Sequence, residues 1–293
     1  MQTVKQLGQQ LARKITANKN LSYLLQCWSR KGILPSSVWH RLPVNGNFSV
    51  QIEDNYFSYE STTGDSIGRA LYWRGWEGFE PETLSVFLKL IKDAQSFFDI
   101  GANTGIFTLI ACAVNPKIKV VAFEPVPRVF ARLKTNINAN GFEKRVVVRN
   151  DAVSNSSGQA RLHVPDSELP SSASMNEVGF RGYKGSLIEV VTVTLDQIYY
   201  DYGAPQVVKI DVEGFEDKVL EGMTEILQYH EPALIVECNP DGPYEKIESL
   251  LSQFNYRFFH ILPDGPAPNA HIAPDQQEHY RNWLCMKNRS SMS

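Results

Sequence analysis

The chain has 293 residues, 43% of them hydrophobic, and a formal net charge of −3, which are ordinary values for a globular protein of one large domain or of one domain with an extension. A pI near 6.1 argues against general nucleic-acid binding, which needs a basic face. We expect no transmembrane span and no signal peptide. The four cysteines are scattered without a C-x-x-C pair, so we expect neither a zinc site nor a disulfide framework, and a cytoplasmic location.

The N-terminal region is basic, because seven lysines and arginines precede the first acidic residue, Glu53. Apolar residues at helical spacing predict one or two amphipathic helices within 2–29. We interpret this region as a basic solvated helix, with docking to a membrane surface or a partner as the alternative. Alternation over 47–59 predicts a β-hairpin that turns at Asp54–Asn55. Residues 1–79 are therefore expected to form a helical and hairpin extension.

Residues 96–126 predict a strand, a glycine turn, a helix and a second strand, which together are half of a mononucleotide-binding unit. Gly101 and Gly105 bracket the turn, and Glu124 ends the second strand, where a carboxylate can accept both ribose hydroxyls. The spacing D-x-G-x-x-x-G differs from the dinucleotide fingerprint G-x-G-x-x-G. Asp99 would repel a pyrophosphate but suits a cationic amino acid or a sulfonium. The stretch therefore predicts a nucleoside-type ligand.

Acidic residues recur at the ends of the predicted strands: Asp99, Glu124, Asp151, Asp211 and Glu237. In an open α/β sheet, ligands bind outside the carboxyl ends of the strands, so this edge is the expected site. Residues 154–185 interrupt the α/β rhythm and predict an inserted hairpin whose loop covers the site and selects the acceptor. Residues 264–274 are rich in proline and glycine and predict a loop.

The segment KIDVEG is the second candidate site, because strand alternation places Lys209, Asp211 and Glu213 on one side. A carboxylate there could remove the proton of an acceptor hydroxyl, and Lys209 could pair with it or stabilise an alkoxide. A hard cation held by Asp211, Glu213, Glu237 and Asn239 is conceivable, but we predict no metal, because such clusters more often bind hydroxyls or solvent. His260 is a further candidate base or orienting residue on a late strand.

At these residues the sequence resembles the FkbM-type methyltransferase family, over roughly 80–239. The matching segments are FFDIGANTG, VVAFEP, NDAVS, VTLDQI, LIVECN and, most specific, VVKIDVEGFEDKVLEG. The resemblance implies S-adenosylmethionine-dependent O-methylation, often of a sugar or polyketide hydroxyl. It implies a class I Rossmann-like α/β fold, with a seven-stranded, mostly parallel sheet in the order 3-2-1-4-5-7-6, the last strand antiparallel and helices on both faces.

Carried over by position, the resemblance implies a methionine cradle at the glycine turn, a ribose ligand at Glu124 and adenine contacts after the third strand. The implied cofactor-binding set is Asp99, Gly101, Ala102, Asn103, Thr104, Gly105, Glu124, Pro125, Asp151, Ala152 and Asp211. The predicted catalytic set is Lys209, Asp211, Glu213, Glu237 and His260.

The catalytic domain is expected to span 80–288, followed by a tail at 289–293. Two alternatives remain open: a nicotinamide-dependent oxidoreductase, against which the missing dinucleotide fingerprint counts, and a catalytically silent cofactor-binding protein that docks a partner.

Overall fold

The structure is a computed structural model, which describes residues 19–167 and 184–287. The chain divides into two compact units, residues 1–81 and residues 82–293. Within the described ranges, no helix is long and apolar enough to cross a membrane. The predicted helical segment before residue 19, the insertion loop at 168–183 and the tail at 289–293 lie outside the described residues.

In its described part, the first unit combines short helices with a β-hairpin. Its elements are α1 (Lys19–Arg30), α2 (Ser36–Trp39), β1 (Gly46–Ile52), β2 (Asn55–Ser61), α3 (Ser66–Arg74) and a 3-10 turn (Trp76–Gly78). A small apolar cluster around Trp39 and Trp73 packs these elements together. The predicted hairpin is present, but Ile52 pairs with Asn55, so the turn is Glu53–Asp54, one residue earlier than predicted.

Helix α3 was not apparent from the sequence, because Ser, Thr and Gly dominate its surroundings. Its N-terminus is capped by the side chain of Asp65, which accepts a 2.8 Å hydrogen bond from the backbone N–H of Gly68. Burial of Leu71 and Trp73 on its inner side outweighs the low helix propensity of the segment.

The second unit alternates strands and helices. Its elements are α4 (Pro81–Ile91), β3 (Ser96–Ile100), α5 (Ile106–Val114), β4 (Lys119–Phe123), α6 (Pro127–Ala139), β5 (Val146–Arg149), β6 (Ala152–Val153), β7 (Gly158–Pro165), β8 (Gly185–Val193), α7 (Leu195–Tyr202), β9 (Val207–Ile210), α8 (Glu216–Glu221), α9 (Thr224–Tyr229), β10 (Ala233–Glu237), α10 (Tyr244–Gln253), β11 (Tyr256–Leu262), β12 (Gly265–Asn269) and β13 (Asn282–Lys287).

The main sheet has the order β5-β4-β3-β9-β10-β13-β11-β12. Its first seven strands follow the predicted order 3-2-1-4-5-7-6, and β13 is antiparallel to both neighbours. Strand β12 is an eighth strand, where a loop was predicted. Pro266 and Pro268 are tolerated there because β12 is an edge strand, where a missing N–H leaves no ladder bond unmade.

The register of the sheet separates two faces. Asp99, Lys209 and Ile235 are paired across neighbouring strands and share one face with the rings of α4 and α5. Ile210, Val236 and Trp283 are paired across the same strands on the other face. That second face packs against α7 to α10 and forms an extensive apolar cluster. Helices therefore cover both faces, as predicted.

The inserted region forms a separate sheet in the order β6-β8-β7. Strands β7 and β8 pair antiparallel from Gly158 and Thr192 to Pro165 and Gly185. These are the two strands of the hairpin that the sequence predicts; its function as an acceptor lid stays a prediction.

Candidate active site

The glycine turn and the end of β9 leave the sheet side by side. The N–H of Asp211 donates a 3.0 Å hydrogen bond to the carbonyl of Ile100. Gly101 follows with φ +79°, and a Cβ placed on it would lie 1.9 Å from the carbonyl oxygen of Asp211. A side chain at position 101 would therefore push these two segments apart. Gly101 thus joins the two candidate sites by direct backbone contact.

Glu124 fixes the turn from the end of β4. Its Oε2 accepts a 3.0 Å hydrogen bond from the N–H of Asn103, which has φ +50°, and its Oε1 accepts a 2.9 Å bond from the N–H of Val126. Burial raises the pKa of Glu124 to about 7, against the two backbone hydrogen bonds, which lower it. Each carboxylate oxygen has a second lone pair, so Glu124 can still accept hydrogen bonds from hydroxyl groups.

Asp99 lies inside the protein, with 1% of its surface exposed. Its Oδ2 accepts hydrogen bonds from the N–H of Thr108 (3.1 Å) and from the hydroxyl of Thr108 (2.6 Å). Burial raises its pKa to about 6, although the Thr108 bonds and the Lys209 charge lower it. Asp99 therefore ties β3 to the first turn of α5.

The far end of the turn is held by α6. Gly105 has φ +96°, and a Cβ on it would lie 2.5 Å from a methyl carbon of Leu133. The amide of Asn136, which is fully buried, donates a 2.8 Å hydrogen bond to the carbonyl of Thr104. Leu133 and Asn136 had not been identified from the sequence; they are separated from the turn by about 30 positions, and only the packing of α6 brings them there.

The residues after β5 are arranged by a local ion pair. Arg149 binds Oδ2 of Asp151 at 2.6 Å, through both its Nε and an Nη atom. The amide of Asn150 donates to the carbonyls of Glu124 (2.8 Å) and Pro125 (3.0 Å), which links the ends of β4 and β5. Ala152 is buried in β6. Asp151 thus lies at the predicted strand end with one oxygen engaged by Arg149.

Lys209 and Asp211 form the centre of the second candidate site. Lys209 is only 1% exposed, its Nζ lies 2.8 Å from Oδ2 of Asp211, and it lies 4.9 Å from the ring centroid of Phe107. Ligand atoms of Asp211, Glu213 and Glu237 all lie within 4.8 Å of one another. Lys209 and the two carboxylates are therefore close together, but β9 ends at Ile210, so the loop after the strand places Asp211 and Glu213, not strand alternation as predicted. Strand β10 adds Glu237 to the cluster.

Glu237 lies beneath this cluster, 2% exposed, with a second cation beside it. Arg281 lies 2.9 Å from Oε1 of Glu237, and the amide of Asn239 donates a 3.1 Å hydrogen bond to Oε2. A divalent ion has candidate oxygen ligands here, but Lys209 and Arg281 already supply two positive charges to these carboxylates. The geometry thus offers charge compensation from the chain itself.

The pKa values of two carboxyls in the cluster, those of Asp211 and Glu237, are shifted in opposite directions. Burial alone would raise the pKa of Asp211, but the charge and hydrogen bond of Lys209, followed by Glu237 and Arg281, hold it below its usual value. Burial raises the pKa of Glu237 well above its usual value, and the negative charges of Asp211 and Glu213 add to this rise. These shifts favour the ionised form of Asp211 and the neutral form of Glu237.

Glu216 supports the loop between β9 and α8 and was not identified from the sequence. It is 1% exposed, and its Oε1 accepts hydrogen bonds from the N–H groups of Val212 (3.2 Å) and Gly214 (3.1 Å). Glu213, between them, has φ +52°. Glu216 thus holds the backbone conformation that presents Glu213. Its position in the most specific matching segment is the signal that could have identified it.

His260 is not brought together with these carboxylates. It pairs in register with Trp283, on the face that packs against α7 to α10, whereas Lys209 lies on the opposite face. Its ring stacks on that of Trp283, with centroids 4.4 Å apart, and its Nε2 donates a 2.8 Å hydrogen bond to the carbonyl of Tyr280. The register thus turns the ring of His260 to the face opposite Lys209, and its role as a base stays a prediction.

A pH dependence of stability follows from three buried carboxyls, those of Asp99, Glu124 and Glu216, whose pKa values burial raises to about 6, 7 and 7. In an unfolded chain these groups titrate near 4. Between about pH 4 and pH 7 the folded state therefore binds more protons than the unfolded state, and stability falls as the pH rises. We expect the melting temperature to decrease from about pH 5 to pH 7, and Glu216→Gln to flatten this decrease.

The matched control for this experiment is Glu221→Gln. Glu221 is paired with Lys218 at 2.8 Å, which lowers its pKa, so its titration lies below the window measured. Its replacement should leave the pH slope unchanged. A melting temperature that is constant or rises over the same window would contradict the assignment.

Comparison with known proteins identifies the family of this chain. Residues 99–258, more than half of its length, match the Methyltransferase FkbM domain. The chain belongs to this family. It is a methyltransferase, and the matched range of the FkbM domain includes the glycine turn, Glu124 and the whole carboxylate cluster.

Two relatives carry more specific names. The chain is 30% identical over 176 residues to the hexuronic acid methyltransferase AglP of Haloferax volcanii, and the aligned region covers 59% of this chain and 68% of the relative. It is 34% identical over 162 residues to the 31-O-demethyl-FK506 methyltransferase FkbM of Streptomyces tacrolimicus, which covers 45% of this chain and 61% of the relative. Among solved structures, methyltransferase FkbM from Methylobacillus flagellatus KT aligns with a TM-score of 0.43 and 17% identity, over 66% of this chain and 44% of that one.

Proposed function

We propose that this FkbM-family methyltransferase uses S-adenosylmethionine to methylate a hydroxyl of a sugar or another small hydroxylated acceptor. The observation that carries the proposal is the contact between Gly101 and the carbonyl of Asp211, which sets a nucleoside-type turn directly beside a cluster of carboxylates. One edge of the sheet thereby offers a cofactor cradle and a proton acceptor side by side.

The residues present fit the cofactor. Gly101, Asn103 and Gly105 all have positive φ and form a turn with no bulky side chain at either glycine, and Glu124 faces that turn from the next strand. In the proposal, Glu124 accepts the ribose hydroxyls, Asp151 and Ala152 contact the adenine, and the turn from Asp99 to Gly105 holds the methionine part. The cofactor supplies an electrophilic methyl group on a sulfonium. Positioning of the acceptor and removal of its proton are carried out by residues of this chain.

The chain must position the acceptor oxygen and receive its proton. Asp211 and Glu213 are half-buried, while Glu237 is buried beneath them, so the first two are the ones that an acceptor hydroxyl can reach. Ionised Asp211 is the proposed proton acceptor, with Glu213 as a second hydroxyl ligand. Lys209 holds Asp211 in place, and a hydrogen bond with Glu237 helps to keep the pKa of Asp211 low. The methyl transfer itself is then largely a matter of alignment.

The acceptor class is drawn from the relatives, whose names specify a hexuronic acid and an O-demethyl precursor. Both are hydroxylated small molecules or sugars. The carboxylate cluster of this chain suits hydroxyl groups, because carboxylates accept hydrogen bonds from them. A uronic acid carries both hydroxyls and a carboxylate. Stability of the product in mild alkali therefore tests the hydroxyl assignment, since a methyl ether survives and a methyl ester is hydrolysed.

The first test is calorimetric titration with S-adenosylhomocysteine. We expect micromolar binding to the wild type and a loss of about tenfold or more, about 1.4 kcal/mol, in Glu124→Ala, because both the ribose contacts and the support of the Asn103 N–H are lost. Glu124→Gln separates these two losses, since its amide oxygen can still accept one backbone bond.

The control for this titration is Glu248→Gln, a carboxylate that binds His271 and Ile272 away from the sheet edge, and it should leave the affinity unchanged. Equal affinity in Glu124→Ala and in the wild type would refute the ribose assignment. Stabilisation by NAD without binding of S-adenosylhomocysteine would refute the proposed cofactor. Transfer of labelled methyl groups to a panel of monosaccharides, uronic acids and hydroxylated macrolides then identifies the acceptor.

A further inference from the structure

Helix α1 carries an apolar stripe on its outer side. Leu21, Leu24 and Trp28 are spaced three and four residues apart, which places them on one side of a helix. Their exposed fractions are 39%, 50% and 47%. Three large apolar side chains in contact with solvent on one helix form a patch, whereas single exposed apolar residues are common on any protein.

The orientation of the stripe is fixed by the residues that follow each of its members, about 100° further round the helix. Ser22 and Ser29 are buried there, Ser22 forms a hydrogen bond with the hydroxyl of Tyr72, and the carbonyl of Ser29 accepts a 3.0 Å bond from Arg74. Leu25 packs against the apolar cluster of the first unit. Because the inner side is anchored to α3, the stripe faces outward.

The chain after α1 extends the same patch. Gly32, with φ +71°, donates its N–H to the carbonyl of Ser29, and Ile33 donates to the carbonyl of Trp28 at 2.8 Å. These two bonds form a Schellman motif, which folds the following residue back onto the last turn of the helix. Ile33, 62% exposed, is thereby fixed at the end of the stripe that carries Trp28.

The segment that carries the patch is basic. Arg30 and Lys31 are exposed at the same end of α1, and no acidic residue precedes Glu53 in the sequence. A surface that combines basic residues with exposed Trp, Leu and Ile complements an anionic lipid surface, because the cations bind the headgroups while the apolar side chains enter the boundary of the acyl chains.

We propose that the outer side of α1, with Leu21, Leu24, Trp28 and Ile33, docks onto an anionic membrane surface. Over its 12 described residues the helix measures roughly 18 Å at 1.5 Å per residue, less than the thickness of a bilayer, so the proposed contact is along the membrane surface. This proposal does not depend on the identity of the methyl donor or acceptor, and its test reads lipid binding rather than turnover.

The test is co-sedimentation of the full chain with vesicles. We expect binding to vesicles of phosphatidylcholine mixed with phosphatidylglycerol that is at least about tenfold tighter than binding to phosphatidylcholine alone, and that weakens with added salt. Trp28→Ser combined with Leu24→Ser should lose about tenfold in that affinity. Lys31→Glu should lower binding to the anionic vesicles and leave binding to phosphatidylcholine vesicles unchanged.

The matched control is Tyr229→Ser. Tyr229 is 74% exposed, more than Trp28, but lies at the end of α9, outside the patch, so its replacement should leave vesicle binding unchanged. Equal binding by the wild type and the double variant would overturn the proposal. The proposal would also be overturned if the wild type did not bind vesicles but self-associated through Trp28 in light scattering, since the patch would then bind a second copy of the chain.

Discussion

Replacing Asp211 by asparagine is expected to lower kcat by about 10²- to 10³-fold, because the variant loses the proposed acceptor of the hydroxyl proton. The pKa of Asp211 is held low mainly by Lys209, so this carboxylate is ionised at neutral pH and ready to receive a proton. Its position beside Gly101 places it next to the glycine turn. Affinity for S-adenosylhomocysteine should change by no more than about threefold, about 0.7 kcal/mol.

Glu237→Gln is the control that separates loss of the base from a general disturbance of the cluster. Glu237 belongs to the same cluster, but its raised pKa favours the neutral form, and a glutamine amide is a neutral group of nearly the same shape. We therefore expect Glu237→Gln to retain kcat within about tenfold, well short of the loss that removal of a general base causes. If the two variants lose activity equally, the assignment of the base to Asp211 fails.

Loss of Asp211 also leaves Lys209 buried without the carboxylate that it contacts at 2.8 Å. Removing one partner of a buried ion pair destabilises a protein by about 3–5 kcal/mol, so kcat must be measured below the melting temperature of each variant. The pH profile separates the two effects. A positioning defect lowers kcat at every pH, whereas loss of a base also removes the acidic limb of the profile.

The order of the sheet and the glycine turn could be anticipated from the sequence for different reasons. The turn at Gly101 and Gly105 and the alternation of Lys209 with Asp211 are local signals that each occupy a few consecutive residues. Positive φ at both glycines and the ion pair between Lys209 and Asp211 agree with these predictions. Strand order came from the family resemblance rather than from any residue pattern.

His260 shows what the sequence alone could not settle. The face on which its ring lies depends on the register between β11, β13 and β10, and a shift by one residue would reverse that face. Asn136 shows a related difficulty, because it supports the site through a backbone contact that forms only after α6 has packed, and a buried amide has no distinctive local pattern. Glu216 differs, since its hydrogen bonds reach backbone N–H groups only two and four residues away.

Replacing Gly101 by alanine is expected to destabilise the second unit strongly, although only one methyl group is added. The new Cβ would lie 1.9 Å from the carbonyl oxygen of Asp211, and neither backbone segment can yield without breaking the hydrogen bond between Asp211 and Ile100. Overpacking in a well-packed interior costs about 1–3 kcal/mol or more, and a positive φ adds about 1–2 kcal/mol for a residue with a Cβ. We expect a loss of about 3 kcal/mol or more in denaturant unfolding.

Gly141→Ala is the matched control for this loss, because Gly141 has φ +67° but its Cβ would meet nothing within 4 Å. It should therefore show only the conformational part, about 1–2 kcal/mol. The difference between the two variants isolates the contact between the glycine turn and the carboxylate segment. If Gly101→Ala yields only insoluble protein while Gly141→Ala folds, the contact is at least as important as proposed. Equal stability of the two variants would mean that the turn and the end of β9 can separate, and the joint site at this sheet edge would lose its structural basis.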